Sequence, residues 1–519
     1  MSGMKLAKYD FRSKQEYIYR TNKIKEIVGA SEIITCAYND FFAALRDEGI
    51  IVDNGVAVDG KCPEGKACAF EPGSAPRYIN NPDMEFFDDF PDGLSGKIIY
   101  IGGGNLYMLW KDEETAEKAS AILCRMLREK AYSLSAVCGM ADYSGDYAVD
   151  MKNLNADFER CKVLTPPFIP SAMLPFTELD IRTSLPIAHK STEPRMEKYT
   201  IGEESISQES YLKRAQYRKT HKGRKEYLDD IVTEKGRESL LAVIYIDGNN
   251  MGTRVTSEMD SIHDYKNGVK TIRSLSNKIQ DCFVSATRAA IECAAESDPV
   301  MKDRIRWIVS GGDEVTLICN ARAALKVVGI YFDALAKTRE NNTACAGIAV
   351  FHSHFPFSKA YEIAEECCEN AKKKNRRNGS CNCIVDFQYI YAGVTGELEL
   401  MRLQDEKYIA RPYFIGGKNQ KTPEIMEDFI LRAKRLRDHI GRANIKDLAS
   451  LVFGSEDGYS FEIARLDAQY PKAGMKSAAE EDKRFILDIA QFYDIWFSKE
   501  VAPDISQYYG EWFGKEVCE

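Results

Sequence analysis

The 519-residue chain contains no apolar run close to the roughly 20 residues that a membrane-spanning helix requires. Its opening stretch, MSGMKLAKYDFR, carries charge where a secretory leader would carry an apolar segment, so no leader is expected. The 15 cysteines are odd in number and follow no disulfide-like rhythm, which points to reduced thiols and a cytoplasmic location. Neither Cys62 and Cys68 nor Cys381 and Cys383 has C-x-x-C spacing, so structural zinc is not expected. His352 and His354 end a strand-like run without companion ligands. An excess of positive charge is missing too. Lys and Arg number 70 against 79 Asp and Glu, a net charge of -9, which argues against a generally basic nucleic-acid binder and leaves room for a local basic groove.

What remains is an ordinary globular composition, 44% hydrophobic and 29% charged. Strand and helix patterns alternate from the start. MKLAKYDF is strand-like, and a long helical stretch follows it. Residues 50–93 read as irregular. GKIIYIGGGNLYMLW (96–110) is strand, glycine turn, strand; residues 112–131 form an amphipathic helix; 134–143 is a further strand; Pro-rich LTPPFIPSAMLPF closes the series.

The same order then recurs. SLLAVIYIDGNNMG (239–252) is a strand entering a turn. A helix over about 264–295 precedes the hairpin WIVSGGDEVTLIC, then come a helix (321–338) and a strand (344–352). Gly103 and Gly311 stand 208 residues apart, as do Gly139 and Gly347, and at that spacing Ile122 matches Ile330 and Leu127 matches Leu335. An internal duplication is therefore expected. At that spacing Asp313 falls on Asn105 and Glu314 on Leu106, so the first copy keeps the turn and lacks the acids.

The paired acids define the candidate chemistry. Asp313 and Glu314 stand side by side where the chain bends, and adjacent carboxylates repel unless a cation lies between them. The strand LAVIYIDGNN ends near Asp247, and a ferredoxin-like βαββαβ order places it beside the Gly-Gly hairpin. Asp247, Asp313 and Glu314 would then converge as hard oxygen ligands suited to Mg²⁺ or Mn²⁺. The turn Gly248, Asn249, Asn250, Met251 has backbone N–H groups able to hold a triphosphate. The lysines of ENAKKKNRRNG, Lys372 above all, lie at a helix end that can reach the same phosphates. The basic run KRAQYRKTHKGRK (213–225) reads as an exposed helix face and a candidate docking surface for RNA. The last hundred residues read as mostly helical.

With these residues in view, the chain resembles the large polymerase/cyclase subunit of type III CRISPR effector complexes. QEYIYRTNKIKEIVGASEII, GGGNLYML, LAVIYIDGNNMG, SGGDEVTLI and CAGIAVFHSHFPFSKAYEIAEECCENAKK carry the resemblance over roughly residues 4–395. More distantly, the same unit is similar to GGDEF-type diguanylate cyclases. The resemblance implies an α+β chain: a degenerate first palm (1–162), a linking segment (163–235), a catalytic second palm (236–396) and a helical C-terminal domain (397–519). It implies conversion of ATP to cyclic oligoadenylates with Mg²⁺ or Mn²⁺, and CRISPR RNA, target RNA and effector-complex subunits as partners. Asp247 and Asp313 then become metal ligands, Glu314 the adjoining acid, and Gly311 and Gly312 the turn against the nucleotide. The family signature more often ends Gly-Gly-Asp-Asp; glutamate here keeps the charge and reaches one carbon farther. No His-Asp pair precedes the first copy, so DNase activity is not expected. A cyclic dinucleotide synthase and a nucleotide- or RNA-binding scaffold without turnover are the competing readings.

Overall fold

The computed structural model describes residues 3–53, 55–59, 77–166, 168, 176–193, 202–221, 228–232, 239–297, 304–338, 342–379, 381–391, 396–403, 406–415, 424–475 and 483–497. The chain divides into two compact units. One contains Met1–Leu228, Asn250–Val284 and Ile308–Asp313, and the other Asp229–Asn249, Ser285–Trp307 and Glu314–Glu519. Among the described residues no helix is long and apolar enough to cross a membrane.

The elements of the first copy are β1 (Lys5–Arg12), α1 (Lys14–Tyr19), α2 (Ile24–Asp47), β2 (Ile51–Val52), β3 (Val56–Asp59), β4 (Arg77–Asn80), β5 (Leu94–Gly102), β6 (Asn105–Trp110), α3 (Glu113–Lys130), β7 (Ser135–Asp142) and α4 (Tyr147–Leu164). The single long helix expected after β1 is broken into α1 and α2. Residues 50–93, expected to be irregular, contain the β3–β4 ladder and the edge strand β2, which pairs with β5. Two further strands, β8 (Ile187–Glu193) and β9 (Gly202–Ser207), lead to α5 (Gln208–Thr220).

The second series runs β10 (Leu240–Gly248), α6 (Met251–Met259), α7 (Tyr265–Ser297), β11 (Ile305–Gly311), β12 (Glu314–Asn320), α8 (Ala324–Ala336), β13 (Ala344–His352), α9 (Phe357–Arg377) and β14 (Cys383–Tyr389). After it come α10 (Leu398–Arg402), β15 (Tyr413–Ile415), α11 (Met426–His439), α12 (Arg442–Leu451), α13 (Glu456–Gln469) and α14 (Arg484–Phe492). The architecture is thus α+β with a helical C-terminal portion.

Topology confirms the duplication. The first sheet has the order β2-β5-β6-β1-β7 and the second β11-β12-β10-β13-β14-β15. Within them β5-β6-β1-β7 and β11-β12-β10-β13 are the same four-strand arrangement, the ferredoxin-like βαββαβ order. The register corrects the spacing at the hairpin by one residue. The first turn is Gly103–Gly104 between Gly102 and Asn105, and the second is Gly312–Asp313 between Gly311 and Glu314. Asn105 therefore corresponds to Glu314, and Gly104 to Asp313. Three consecutive glycines in the first copy against two in the second made residue identity ambiguous; the strand ends decide it.

Part of the first unit's core comes from the later chain. Met259, Tyr265, Val269 and Ile272 are buried with Leu6, Ile99, Tyr107, Leu109, Tyr147 and Leu154. Tyr147 lies against Gly268, and the Tyr265 hydroxyl donates to the buried Asp150 at 2.7 Å. Arg273 is fully buried and donates to four carbonyls: Ile99 at 2.8 Å, Asn81 at 3.0 Å, Met84 at 3.1 Å and Ile98 at 2.5 Å. It takes up oxygens left over where β5 is irregular between Ile98 and Tyr100.

The basic run is not the exposed face expected of it. Lys213 and Arg214 are fully buried on α5. Lys213 pairs with Glu209 at 2.5 Å, and Arg214 with Glu26 at 2.6 Å and Glu204 at 2.8 Å. α5 lies so close to α2 that a Cβ on Gly29 would overlap the Lys213 carbonyl. Within the run, Arg218 and Lys219 are exposed, and residues 222–225 lie outside the described residues.

Replacing Arg273 with methionine keeps most of the volume and removes every donor. The two buried carbonyls, of Ile98 and Ile99, would lose their partner at about 1–3 kcal/mol each, so Arg273→Met should lower the melting temperature markedly, whereas Arg218→Met should leave it within about a degree of wild type.

Candidate functional site

β10 is fully buried over Leu241–Ile246 and emerges at its C-terminal end. There Asp247 faces Glu314 of β12 on one side and Cys345 of β13 on the other. Directly opposed residues share a sheet face, so Asp247, Glu314 and Cys345 point the same way, with Tyr245, Thr316 and Gly347 one step back along the strands.

Helix α9 covers that face. Gly347 permits the approach: a Cβ there would overlap the Ala364 carbonyl oxygen and press on the Cys368 backbone. The Cys368 thiol donates to the Cys345 carbonyl at 3.3 Å, and the Tyr361 and Tyr245 rings meet edge to face at 5.7 Å. Tyr361, Ala364, Cys368, Lys372 and Asn375 recur at three- and four-residue steps and so form one helical stripe. The stripe carries Lys372 to the acids. Its Nζ donates to Asp247 Oδ2 at 2.5 Å, with 19% of the lysine and 29% of the aspartate side chain exposed. Burial alone would lower the lysine pKa, but the Asp247 carboxylate outweighs it and holds the group above the ordinary lysine value. Burial, and then the charges of Glu314 and Asp247, push the Tyr245 phenol well up.

The other candidate residues fall in different settings. Gly248 ends β10. The Asn249 side chain is buried and donates to Thr343 Oγ1 and the Asn382 carbonyl, both at 3.0 Å, and the Cys345 thiol lies 3.3 Å from its Oδ1. It pins the end of the strand, which leaves its side chain committed within the protein. Asn250 has φ 57° and caps α6, whose first residue is Met251. The first N–H groups of a helix have no intrahelical acceptor. Gly311 ends β11, where an added Cβ would meet nothing within 4 Å. Gly312 has φ +67°, which favours glycine, and its Cβ position lies 3.5 Å from the Gly103 Cα. Asp313 is half-buried and directly precedes Glu314. Of the neighbouring lysines, Lys373 is exposed, while Lys374 turns away to the Pro412 carbonyl at 2.6 Å and to Glu424 at 3.6 Å.

Among the described residues no three His, Cys, Asp or Glu side chains form a group able to hold a metal ion by themselves. Asp247 and Glu314 are nonetheless hard, half-exposed oxygen donors facing the same way. Mg²⁺ is ordinarily held by one or two carboxylates, with water and substrate phosphate completing the shell. The donor chemistry fits such an ion.

The first copy shows what changes when acids are lost. Asp10 occupies the place of Asp247 and pairs with Lys14 of α1 at 2.8 Å. Opposite it stands Asn105, whose amide donates to the Gly103 carbonyl at 3.1 Å.

Residues 240–381 match the family model of the second palm domain of Cas10/Cmr2. This segment, about a quarter of the chain, is similar to that palm. No curated protein matches the chain. Among solved structures, the apo Csm1–Csm4 cassette is 12% identical, covering 95% of this chain and 70% of that one, with a TM-score of 0.49. The Csm1–Csm4 subcomplex of the type III-A CRISPR–Csm interference complex is 14% identical over 95% and 70%, with a TM-score of 0.49. Csm1 in T. onnurineus is 13% identical over 94% and 70%, with a TM-score of 0.45.

Sequence reasoning missed Tyr245 and the set Thr343, Asn375 and Asn382 around Asn249. Tyr245 was detectable by strand alternation, two residues before Asp247. The amide set joins loops distant in sequence and left no local signal. Gly347→Ala should force α9 off the sheet and cost about 1–3 kcal/mol of stability, read as a lower melting temperature. Gly311→Ala should melt like wild type, since its Cβ enters open space.

Proposed function

We propose that the chain is a metal-dependent nucleotidyltransferase that converts ATP into cyclic oligoadenylates in a CRISPR-type antiviral defence. The observation that supports this most directly is Asp247 opposite Glu314 at the end of a Cas10/Cmr2-type palm sheet, with Asp313 next in the chain and Lys372 seated on Asp247. In this reading Asp247 and Glu314, with Asp313 joining them once cation and triphosphate are bound, would hold Mg²⁺ or Mn²⁺, which would help ionise the attacking ribose hydroxyl and offset charge on the leaving pyrophosphate. Lys372 serves as a point charge for a phosphate oxygen. The Asn249 N–H is taken by the Thr343 carbonyl at 2.9 Å, so the N–H groups offered to the triphosphate are those of the first turn of α6, from Met251 on, and Gly311, lacking a side chain, leaves room for the nucleotide above the hairpin. Glu314 places its oxygens one carbon farther out than an aspartate would. CRISPR RNA, target RNA and effector-complex subunits are the proposed activating partners.

The test is to incubate the purified protein with each NTP and Mg²⁺ or Mn²⁺, with and without target RNA, and to identify products by mass spectrometry. Csm1–Csm4 cassettes have been solved with cA4 and with pppApA, which are the first masses to look for. Cyclic dinucleotide from GTP would favour the diguanylate-cyclase type; bound ATP with no turnover under any condition would favour a scaffold.

Asp313→Asn and Asp247→Asn should each lower the rate at least about 100-fold, roughly 2.7 kcal/mol of barrier; Asp313→Asn should melt like wild type because carboxylate repulsion is relieved, and Asp247→Asn should melt somewhat lower because it takes the anion from Lys372. Asn105→Asp should add little, since Gly104 supplies no second acid beside it. Wild-type rates from a normally melting Asp313→Asn protein would overturn the assignment.

A further inference from the structure

The acid site contains its own cation. Lys372 donates to Asp247 Oδ2 at 2.5 Å, and among the described residues Asp247 accepts no other hydrogen bond. The ammonium therefore occupies the carboxylate oxygen that a metal would need. From this juxtaposition we infer that Lys372 is an exchangeable counter-ion that competes with the divalent cation for Asp247 and gives it up only when a triphosphate supplies a new partner.

Charge counting gives the reason. A divalent cation entering alone would be placed beside an ammonium already on the same carboxylate, and like charges a few ångströms apart oppose each other strongly in a partly buried site. It would also strip a half-buried lysine of its anion, since Lys372 makes no other hydrogen bond among the described residues. A triphosphate entering alone would face the carboxylates of Asp247 and Glu314. When both enter, the cation takes the carboxylates and the ammonium takes a phosphate oxygen, so no charge is left without a partner. The stripe of α9 holds the lysine backbone in place through Ala364 and Cys368, so only the flexible side chain has to move. The result is positive coupling between metal and nucleotide, which is reciprocal by thermodynamic necessity. This inference rests on the triphosphate reading above, but its first half concerns the metal alone.

The experiment measures Mn²⁺ binding to the full chain by electron paramagnetic resonance, without nucleotide and then with a non-hydrolysable ATP analogue. Wild type should bind Mn²⁺ weakly alone and at least about fivefold more tightly with the analogue. Lys372→Met should bind Mn²⁺ alone at least about fivefold more tightly than wild type, and the analogue should then change that affinity little. Lys372→Arg, which keeps the charge, should resemble wild type without nucleotide, and melting curves should show both variants folded. Lys372→Met binding Mn²⁺ no more tightly than wild type would overturn the counter-ion role. Should wild type bind no analogue while Lys372→Met still tightens on Mn²⁺, the ATP reading fails and the competition stands.

Discussion

The placement of every group at the acid site depends on how closely α9 can approach the second sheet, and that depends on the absence of one atom. Gly347 has no Cβ, so the backbone of α9 comes to rest against β13 at Ala364 and Cys368. Contact at this distance fixes the helix by its main chain. Positions farther along the same stripe inherit that fixed geometry, and Lys372 is two turns beyond Ala364. An interaction that appears purely electrostatic, an ammonium on a carboxylate, is thus set up by steric contact between a helix and a strand.

The helix is also tied to the next strand, where Asn370 donates to Asp386 Oδ2 at 2.7 Å. Asp386 of β14 and Arg402 of α10 form a buried ion pair at 2.8 Å, and Arg411 pairs with Asp488 of α14 at 2.5 Å. Gln388 accepts from both arginines, at 2.9 Å and 3.2 Å. Phe387 lies among Tyr413, Phe429, Phe492 and Trp496. The helical C-terminal portion therefore packs around β14 and β15 as part of the same core, and buried charges that each have a partner tie it to the palm strands. Comparing the two copies shows what the chemistry adds. One aspartate with one lysine, as at Asp10 and Lys14, is already neutral. At the second site Glu314 stands opposite Asp247, where the first copy has the amide of Asn105.

Much of this was legible in the sequence because it depends on local pattern. Strand periodicity placed β10, β12 and β13, the glycine turn marked the hairpin, and the meeting of Asp247 with Glu314 could be picked out from chain order alone. The failures have physical causes. Three glycines in a row concealed a one-residue shift that only the ladder resolves. Lys213 and Arg214 looked like solvent-facing charge, since nothing local to α5 reveals that Glu26, far earlier on α2, waits to pair with one of them. The Asn249 backbone N–H looked available for a triphosphate, and its partner, the Thr343 carbonyl, is brought near only by the folded sheet. Long-range pairing of polar groups is what sequence pattern carries least.

The contribution of Met259, Tyr265, Val269, Ile272 and Arg273 to the first unit bears on how the protein is made. A chain emerging from the ribosome through residue 228 holds all of the first sheet's strands, yet lacks the side chains that fill one side of its core and the guanidinium that satisfies two carbonyls of β5. That sheet must wait, partly bare, until about fifty more residues have been added. During this interval β10 has already emerged with its apolar run exposed. The two halves of the duplication therefore complete their folding in overlapping time, and the earlier half has no finished state of its own until the later one has begun.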